Sequence, residues 1–218
     1  MKNVYNLSAA NSLLTEWVNQ LRCVNTQKDR LRFRRNLERI GEIGAYEISK
    51  LLDFDSQEIQ SPLGSKSSYS LNPQPVVLTI LRAGVPLFQG VMNYFDHADS
   101  GFVGSYRKHD PNEDFVIRQE YITCPAIKNR PLIITDPMIA TGASLIEALK
   151  EILQLGEPSS VHILCAIAAK PGLKKVSEAF PDAKIWCGAI DEGLNDKNYI
   201  VPGLGDAGDL SFGSKLQS

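Results

Sequence analysis

The chain has 218 residues, 43% of them hydrophobic, which is enough to build one sizeable core as a single domain with small additions. A formal charge of -2 and a pI near 5.9 offer no global attraction for nucleic acid or an anionic membrane, so neither is expected as a partner. No signal-peptide pattern opens the sequence, no apolar run is long enough to span a bilayer, and Cys23, Cys124, Cys165 and Cys187 form no CxxC pair or dense disulfide framework. The expectation is a cytoplasmic protein in a reducing compartment, with Cys165 and Cys187 as buried small hydrophobes.

In chain order, Leu13 to Val24 and Arg30 to Leu52 are predicted as helices; Leu37, Ile40, Gly44, Ile48 and Leu51 mark a packing face of the second. Its start is basic, with Lys28, Arg30, Arg32, Arg34 and Arg35 around Asp29. That cluster reads as a solvated helix start, as a subunit-contact or effector site built on Arg30, Arg34 and Arg35, or as an RNA contact. The net acidic chain and the lack of interleaved aromatic residues argue against RNA. Ser61 to Pro75, rich in Ser, Gly and Pro, is predicted as a loop or connector. Then come a strand over Val76 to Ile80, a helix over Gly84 to Tyr94, a strand over Gly101 to Tyr106, and one arm of a hairpin over Phe115 to Thr123. Pro131 to Thr135 reads as a buried strand, and Leu145, Ala148, Leu149, Ile152 and Leu153 as a helix. Strands over Val161 to Ala168 and Ile185 to Ile190 follow, separated by a helix around Leu173 to Phe180. The alternation argues an α/β fold: a mostly parallel sheet covered on both faces. Ligands of such sheets sit beyond the carboxyl ends of the strands, where Arg82, Asp136 and the 141–144 turn all fall.

These positions carry the chemistry. Thr141-Gly142-Ala143-Ser144 opens a helix, so free N–H groups and two hydroxyls stand together as an anion site, with Gly142 allowing close backbone approach. No Gly-Lys-Ser/Thr follows, which excludes a Walker A loop; an ordinary helix cap is the alternative. Arg82, after the apolar run Thr79-Ile80-Leu81, needs an anion or a carboxylate partner because its charge cannot be shed. The polar stretch from Lys108 to Gln119 is either a mobile lid or an exposed hairpin. Pro202 to Asp209 is too rich in Gly and Asp for a strand or helix core; it is a backbone surface pressed against something flat or small, or an exposed turn. His97, His109 and His162 have no metal-ligand spacing, and His162 reads as structural.

The nine residues from Asp136 to Ser144 resemble the 5-phospho-α-D-ribose 1-diphosphate (PRPP) loop of the phosphoribosyltransferases. The single Asp followed by Pro-Met is similar to the uracil phosphoribosyltransferases, where most other branches carry two adjacent acids. Leu81-Arg82-Ala83-Gly84 resembles that family's diphosphate turn, Gly104-Ser105-Tyr106-Arg107 its Gly-x-Tyr-Arg strand, and Tyr199 to Gly213 its uracil-binding tail; the signatures stand in family order. The resemblance implies a type I phosphoribosyltransferase fold. It makes residues 1–218 one phosphoribosyltransferase domain, with an N-terminal helical part over 1–60, a flexible hairpin, and a C-terminal base-binding hood over 190–218. Arg82, Ala83 and Gly84 would cradle diphosphate, with a cis bond before Arg82, and Arg107 would be a second phosphate ligand. Asp136, Pro137, Met138, Ile139, Ala140, Thr141, Gly142, Ala143 and Ser144 would hold ribose and its 5′-phosphate. Ile200, Gly205, Asp206 and Ala207 would contact uracil, Asp206 also lying toward the ribose phosphate or its metal. Arg82, Asp136 and Asp206 would be the catalytic set, for displacement of diphosphate from PRPP by uracil to give UMP. Mg²⁺ would be held mainly by PRPP and water, with no all-protein metal site. Some enzymes of this family respond to GTP and form dimers, so a GTP effector and a homodimer or higher homo-oligomer belong to the same expectation.

Two positions depart from the family pattern. Ala143 stands where a second glycine is usual, and Leu210 where Lys or Arg is common. Together with the N-terminal basic cluster they motivate a rival reading, a nucleotide-sensing regulatory protein on the same scaffold with weak or no catalysis.

Overall fold

The structure is a computed structural model that describes residues 1–110 and 113–216, with side chains described outside 105–120. In chain order its elements are β1 (Val4–Asn6), α1 (Leu13–Arg22), α2 (Arg30–Ser49), β2 (Phe54–Ser61), β3 (Gly64–Leu71), β4 (Val76–Leu81), α3 (Val85–Met92), β5 (Asp99–Asp110) and β6 (Glu113–Thr123). β7 (Pro131–Thr135), β8 (Met138–Ile139), α4 (Ala143–Leu153), β9 (Ser160–Ala169), α5 (Lys170–Ala179), β10 (Lys184–Asp191), β11 (Gly193–Leu194), β12 (Ile200–Val201) and α6 (Ala207–Phe212) complete it. The main sheet runs β1-β10-β9-β7-β4-β5-β6, with β8 rejoining it beside β9. Every pairing in it is parallel except β5 with β6, which is antiparallel, as the hairpin arm predicts.

The apolar runs of β4, β7, β9 and β10 are buried on both sides because neighbouring residues point to opposite faces. Val77, Ile133, Leu164 and Trp186 pack with Leu14, Leu37, Ile40 and Leu87, so α1, α2 and α3 cover one face. Leu78, Ile134, Ile163, Cys165 and Cys187 pack with Leu149, Ile152 and Val176, so α4 and α5 cover the other. The mostly parallel, helix-flanked sheet is therefore as the strand-helix alternation predicts. Cys165 and Cys187 are buried in register with each other, and all four cysteines are free thiols.

Three expectations need correction. Residues 61–75 are not a plain connector: β2 and β3 form a hairpin with eight paired positions, from Phe54↔Leu71 to Ser61↔Gly64. Its side chains are mostly exposed, so backbone pairing rather than an apolar face defines it, and no hydrophobic alternation betrays it in the sequence. Leu51 does not belong to the α2 packing face; it lies past the helix end and is exposed, whereas Leu37, Ile40, Gly44 and Ile48 are buried. Part of the Gly/Asp-rich tail is helical after all. Asp206 caps α6 by accepting the Asp209 N–H at 2.9 Å, which starts a helix despite the local composition.

His162 is structural, as predicted. It is fully buried on β9, where its Nδ1 accepts the Trp186 indole N–H at 3.3 Å. Nε2 then carries the ring proton toward the Ser160 hydroxyl, 3.2 Å away. Burial, with help from nearby Lys184, pushes the imidazole down to about 4 from 6.5. The unfolded chain thus takes up this proton near 6.5 while the folded chain resists until about 4, so stability is lost as pH falls through that window. We predict that the unfolding free energies of the parent and of His162→Leu, measured in urea, converge on acidification across this window, by up to ~3 kcal/mol. A constant difference across the window would show that His162 is not held neutral.

Candidate active site

The carboxyl end of β7 leads into a turn that the fold holds from both sides. The Asp136 N–H donates to Leu164 O at 3.1 Å, and Pro137 O accepts the N–H groups of Ala166 and Ile167 at 3.1 and 3.0 Å. β8 then keeps Met138 and Ile139 in register with Ile167 and Ala168 of β9. The chain turns sharply at Gly142, the α4 N-cap, with φ 79°. A side chain there would be strained, and its Cβ would stand 2.8 Å from a Val176 methyl and 3.1 Å from Gly172 O. The turn from Ala140 to Gly142 is thus seated on α5. Beyond it, the first amides of α4 have no intrahelical acceptors; the Ala143 N–H makes a long bond to Thr141 Oγ1 at 3.4 Å, and Ser144 is the second residue of the helix. Ala143 is the first residue of α4, so its methyl group falls in helical backbone; the left-handed position that demands glycine is Gly142.

Asp136 is partly covered where β7 ends. Enclosure by protein pushes its carboxyl up to about 7, while a weak hydrogen bond from the Met138 N–H pulls the other way. A carboxyl group that titrates near neutrality, shortly before α4 in the chain, can serve as a ligand for hydroxyls or for metal-bound water.

Arg82 follows β4, joined to Leu81 by a cis peptide bond, as the resemblance implies. Its guanidinium answers both readings of the sequence. Nη2 donates to Asp209 Oδ1 at 3.0 Å and to Gly213 O at 2.6 Å, while Nε is buried with no hydrogen-bond partner. Nη1 makes no hydrogen bond among the described residues and is not enclosed, so its two donors are the ones open to an anion. A Cβ built on Gly208 would lie 3.1 Å from Asp206 Oδ1, 3.7 Å from the Ala83 Cβ and 3.8 Å from Arg82 Nε, which puts the Arg82-Ala83 turn close against the start of α6. Leu210, lacking the cation common in the family, packs against the core and anchors α6 by apolar burial instead.

The base segment is tied down nearby. Ile200 and Ala207 are buried, while Gly205, with φ 94°, is exposed. Arg34, from the basic cluster, donates to Ser211 O at 2.7 Å, Arg30 lies against Gly213, and Arg35 pairs with Glu38. The cluster is thus engaged within the chain, partly as a tether for the C-terminal segment. Arg107 and the lid expected from Lys108 to Gln119 have side chains outside the described residues. Sequence reasoning missed Asp209, the resting partner of Arg82, and Asp191. Asp191 carries a readable signal: like Asp136, it is an acid that directly follows an apolar strand run.

The family model for uracil phosphoribosyltransferase matches residues 8–214. A protein of Porphyromonas gingivalis named uracil phosphoribosyltransferase is 45% identical over 214 residues, covering 98% of this chain and 99% of its own length. One of Thermococcus gammatolerans with the same name is 39% identical over 208 residues, covering 94% and 91%. Among solved structures, a protein of Aquifex aeolicus superposes with a TM-score of 0.86 at 34% identity, covering 98% of this chain and 99% of that one. With these matches spanning nearly its whole length, the chain belongs to the uracil phosphoribosyltransferase family.

Proposed function

We propose that the chain is a pentosyltransferase that joins N1 of uracil to C1 of PRPP, releasing diphosphate and forming UMP. The observation that carries this reading is the contact between the Arg82-Ala83 turn and the Asp206–Gly208 start of α6, which joins a diphosphate-binding turn to a base-binding segment. Near-full-length similarity to proteins named for this activity supports it.

N1 of uracil attacks C1 from the face opposite diphosphate as the C1–O bond breaks, and its proton leaves to the departing diphosphate or solvent, so the configuration inverts through an oxocarbenium-like transition state. Catalysis is then positioning plus charge neutralisation. Arg82 meets the charge growing on the leaving diphosphate, Asp136 orients the ribose hydroxyls, and the α4 turn with Thr141 and Ser144 holds the 5′-phosphate. The described residues contain no cluster of three or more His, Cys, Asp or Glu able to cage a metal. A Mg²⁺ ion would be held chiefly by PRPP oxygens and water, and Asp136 and Asp206 are the carboxylates we propose for its water ligands. When bound, that ion would supply further charge neutralisation to the diphosphate. The regulatory alternative loses its motivation: Ala143 sits in helical backbone, Leu210 is built into the core packing, and Arg34 is a tether. No described helix is long and apolar enough to cross a membrane, and the four free thiols support a reducing, cytoplasmic setting.

Two outcomes test the reading. With PRPP and Mg²⁺, catalytic efficiency for uracil should exceed that for cytosine by at least ~10²-fold, because the cytosine amino group presents a donor where uracil O4 accepts. Equal use of both bases would show that the 200–208 segment does not read the pyrimidine edge. For pH, the Asp136 carboxyl near 7 is protonated on the acid side, where it no longer serves as an anionic ligand. kcat/KM for PRPP should therefore fall below about pH 7, and Asp136→Asn should be slower and lack that limb. The same acid limb in both proteins would remove Asp136 from the ionisation that matters.

A further inference from the structure

We infer that Arg22 and Asp191 are positioning residues that set base recognition by clamping the backbone of Gly203, an inference that rests on the 200–207 segment being the uracil site. Arg22 is the last residue of α1 and Asp191 the last of β10. Their side chains meet in a two-pronged pair, Nη1 to Oδ2 at 2.7 Å and Nη2 to Oδ1 at 2.6 Å. Both then reach the same peptide unit. Arg22 Nη1 donates to Gly203 O at 3.0 Å, and the Gly203 N–H donates to Asp191 Oδ2 at 2.9 Å.

The result is a closed ring of charge-assisted hydrogen bonds, stronger than neutral ones and sheltered from solvent, with Asp191 only 6% and Arg22 20% exposed. Gly203 is suited to be the point held. Its φ of +58° and a built Cβ only 2.1 Å from Ile200 O mark a tight turn that leaves no room for a side chain. Among the described residues, these two bonds at Gly203 are the only hydrogen bonds of residues 202–205. Ile200 lies on one side of the clamp and Gly205 to Ala207 on the other, so its geometry fixes their separation and hence the shape of the base pocket. Arg22 and Asp191 make no hydrogen bond or ion pair to Arg82, Asp136 or the 141–144 turn, so PRPP binding, which shares only Asp206 with the clamped segment, should respond far less than uracil binding.

Steady-state kinetics with uracil and cytosine, together with calorimetric titration of PRPP, separate these roles. Arg22→Met should raise KM for uracil ~10-fold or more and narrow the preference over cytosine, while PRPP affinity stays within about twofold. Arg22→Lys, which keeps the charge and loses the fork, should lie between parent and Arg22→Met. If Arg22→Met fails to fold, Arg22→Lys and the isosteric Asp191→Asn carry the same comparison. Folded variants with an unchanged KM for uracil, or with uracil and PRPP weakened alike, would overturn the clamp while a parent that makes UMP leaves the proposed activity standing. A parent that makes no UMP would reject the proposed activity itself.

Discussion

Arg82 cannot lose its charge, so at the partly covered end of β4 it must be met by oxygen, and in the resting chain the C-terminal segment meets it. Asp209 and the Gly213 carbonyl engage one nitrogen, and the buried Nε is left without a partner. This contact ties the Arg82-Ala83 turn to α6, and through α6 to the 200–206 segment. A polyanion arriving at the unpaired Nη1 would be met by a guanidinium already oriented by its other contacts, which is the preorganisation that charge stabilisation requires.

The sheet makes that meeting possible. Parallel strands end on one edge, so β4, β7 and β10 deliver Arg82, Asp136 and Asp191 to the same side of the molecule. Each half of the site has its own support behind that edge. The α4 turn rests on α5, through the close approach of Gly142 to Gly172 and Val176. The base segment rests on α1 and α2, through Arg22 on Gly203 and Arg34 on Ser211. The 141–144 turn and the 200–213 segment are therefore supported from opposite faces of the sheet.

The strands and helices that build the sheet were legible because burial on two faces writes continuous apolar runs such as Pro131–Thr135 and Ser160–Ala169. The β2–β3 hairpin was not, since its residues are polar and exposed and its order is carried by backbone pairing alone. α6 was hidden by glycines and acids that read as a turn, although its Asp206 cap was a visible start signal. Within the site, Asp136, the 141–144 turn and Arg82 stood out as charges or donors directly after apolar strands. The Arg22–Asp191 pair did not, because its members are 169 residues apart and only the tertiary fold brings them to one peptide unit. Ala143 and Leu210, which looked like losses in the sequence, are accommodated: one by helical backbone, the other by core packing.

The claim at the centre of this account is that the Arg82 guanidinium serves the charge that develops on departing diphosphate rather than the resting fold alone. Steady-state kinetics of Arg82→Leu with PRPP and uracil, beside calorimetric binding of PRPP to the same variant, test it most directly. The account predicts a turnover number reduced ~10²-fold or more with a much smaller loss of PRPP affinity, the pattern of an interaction realised mainly in the transition state. A folded Arg82→Leu variant with normal turnover would contradict it.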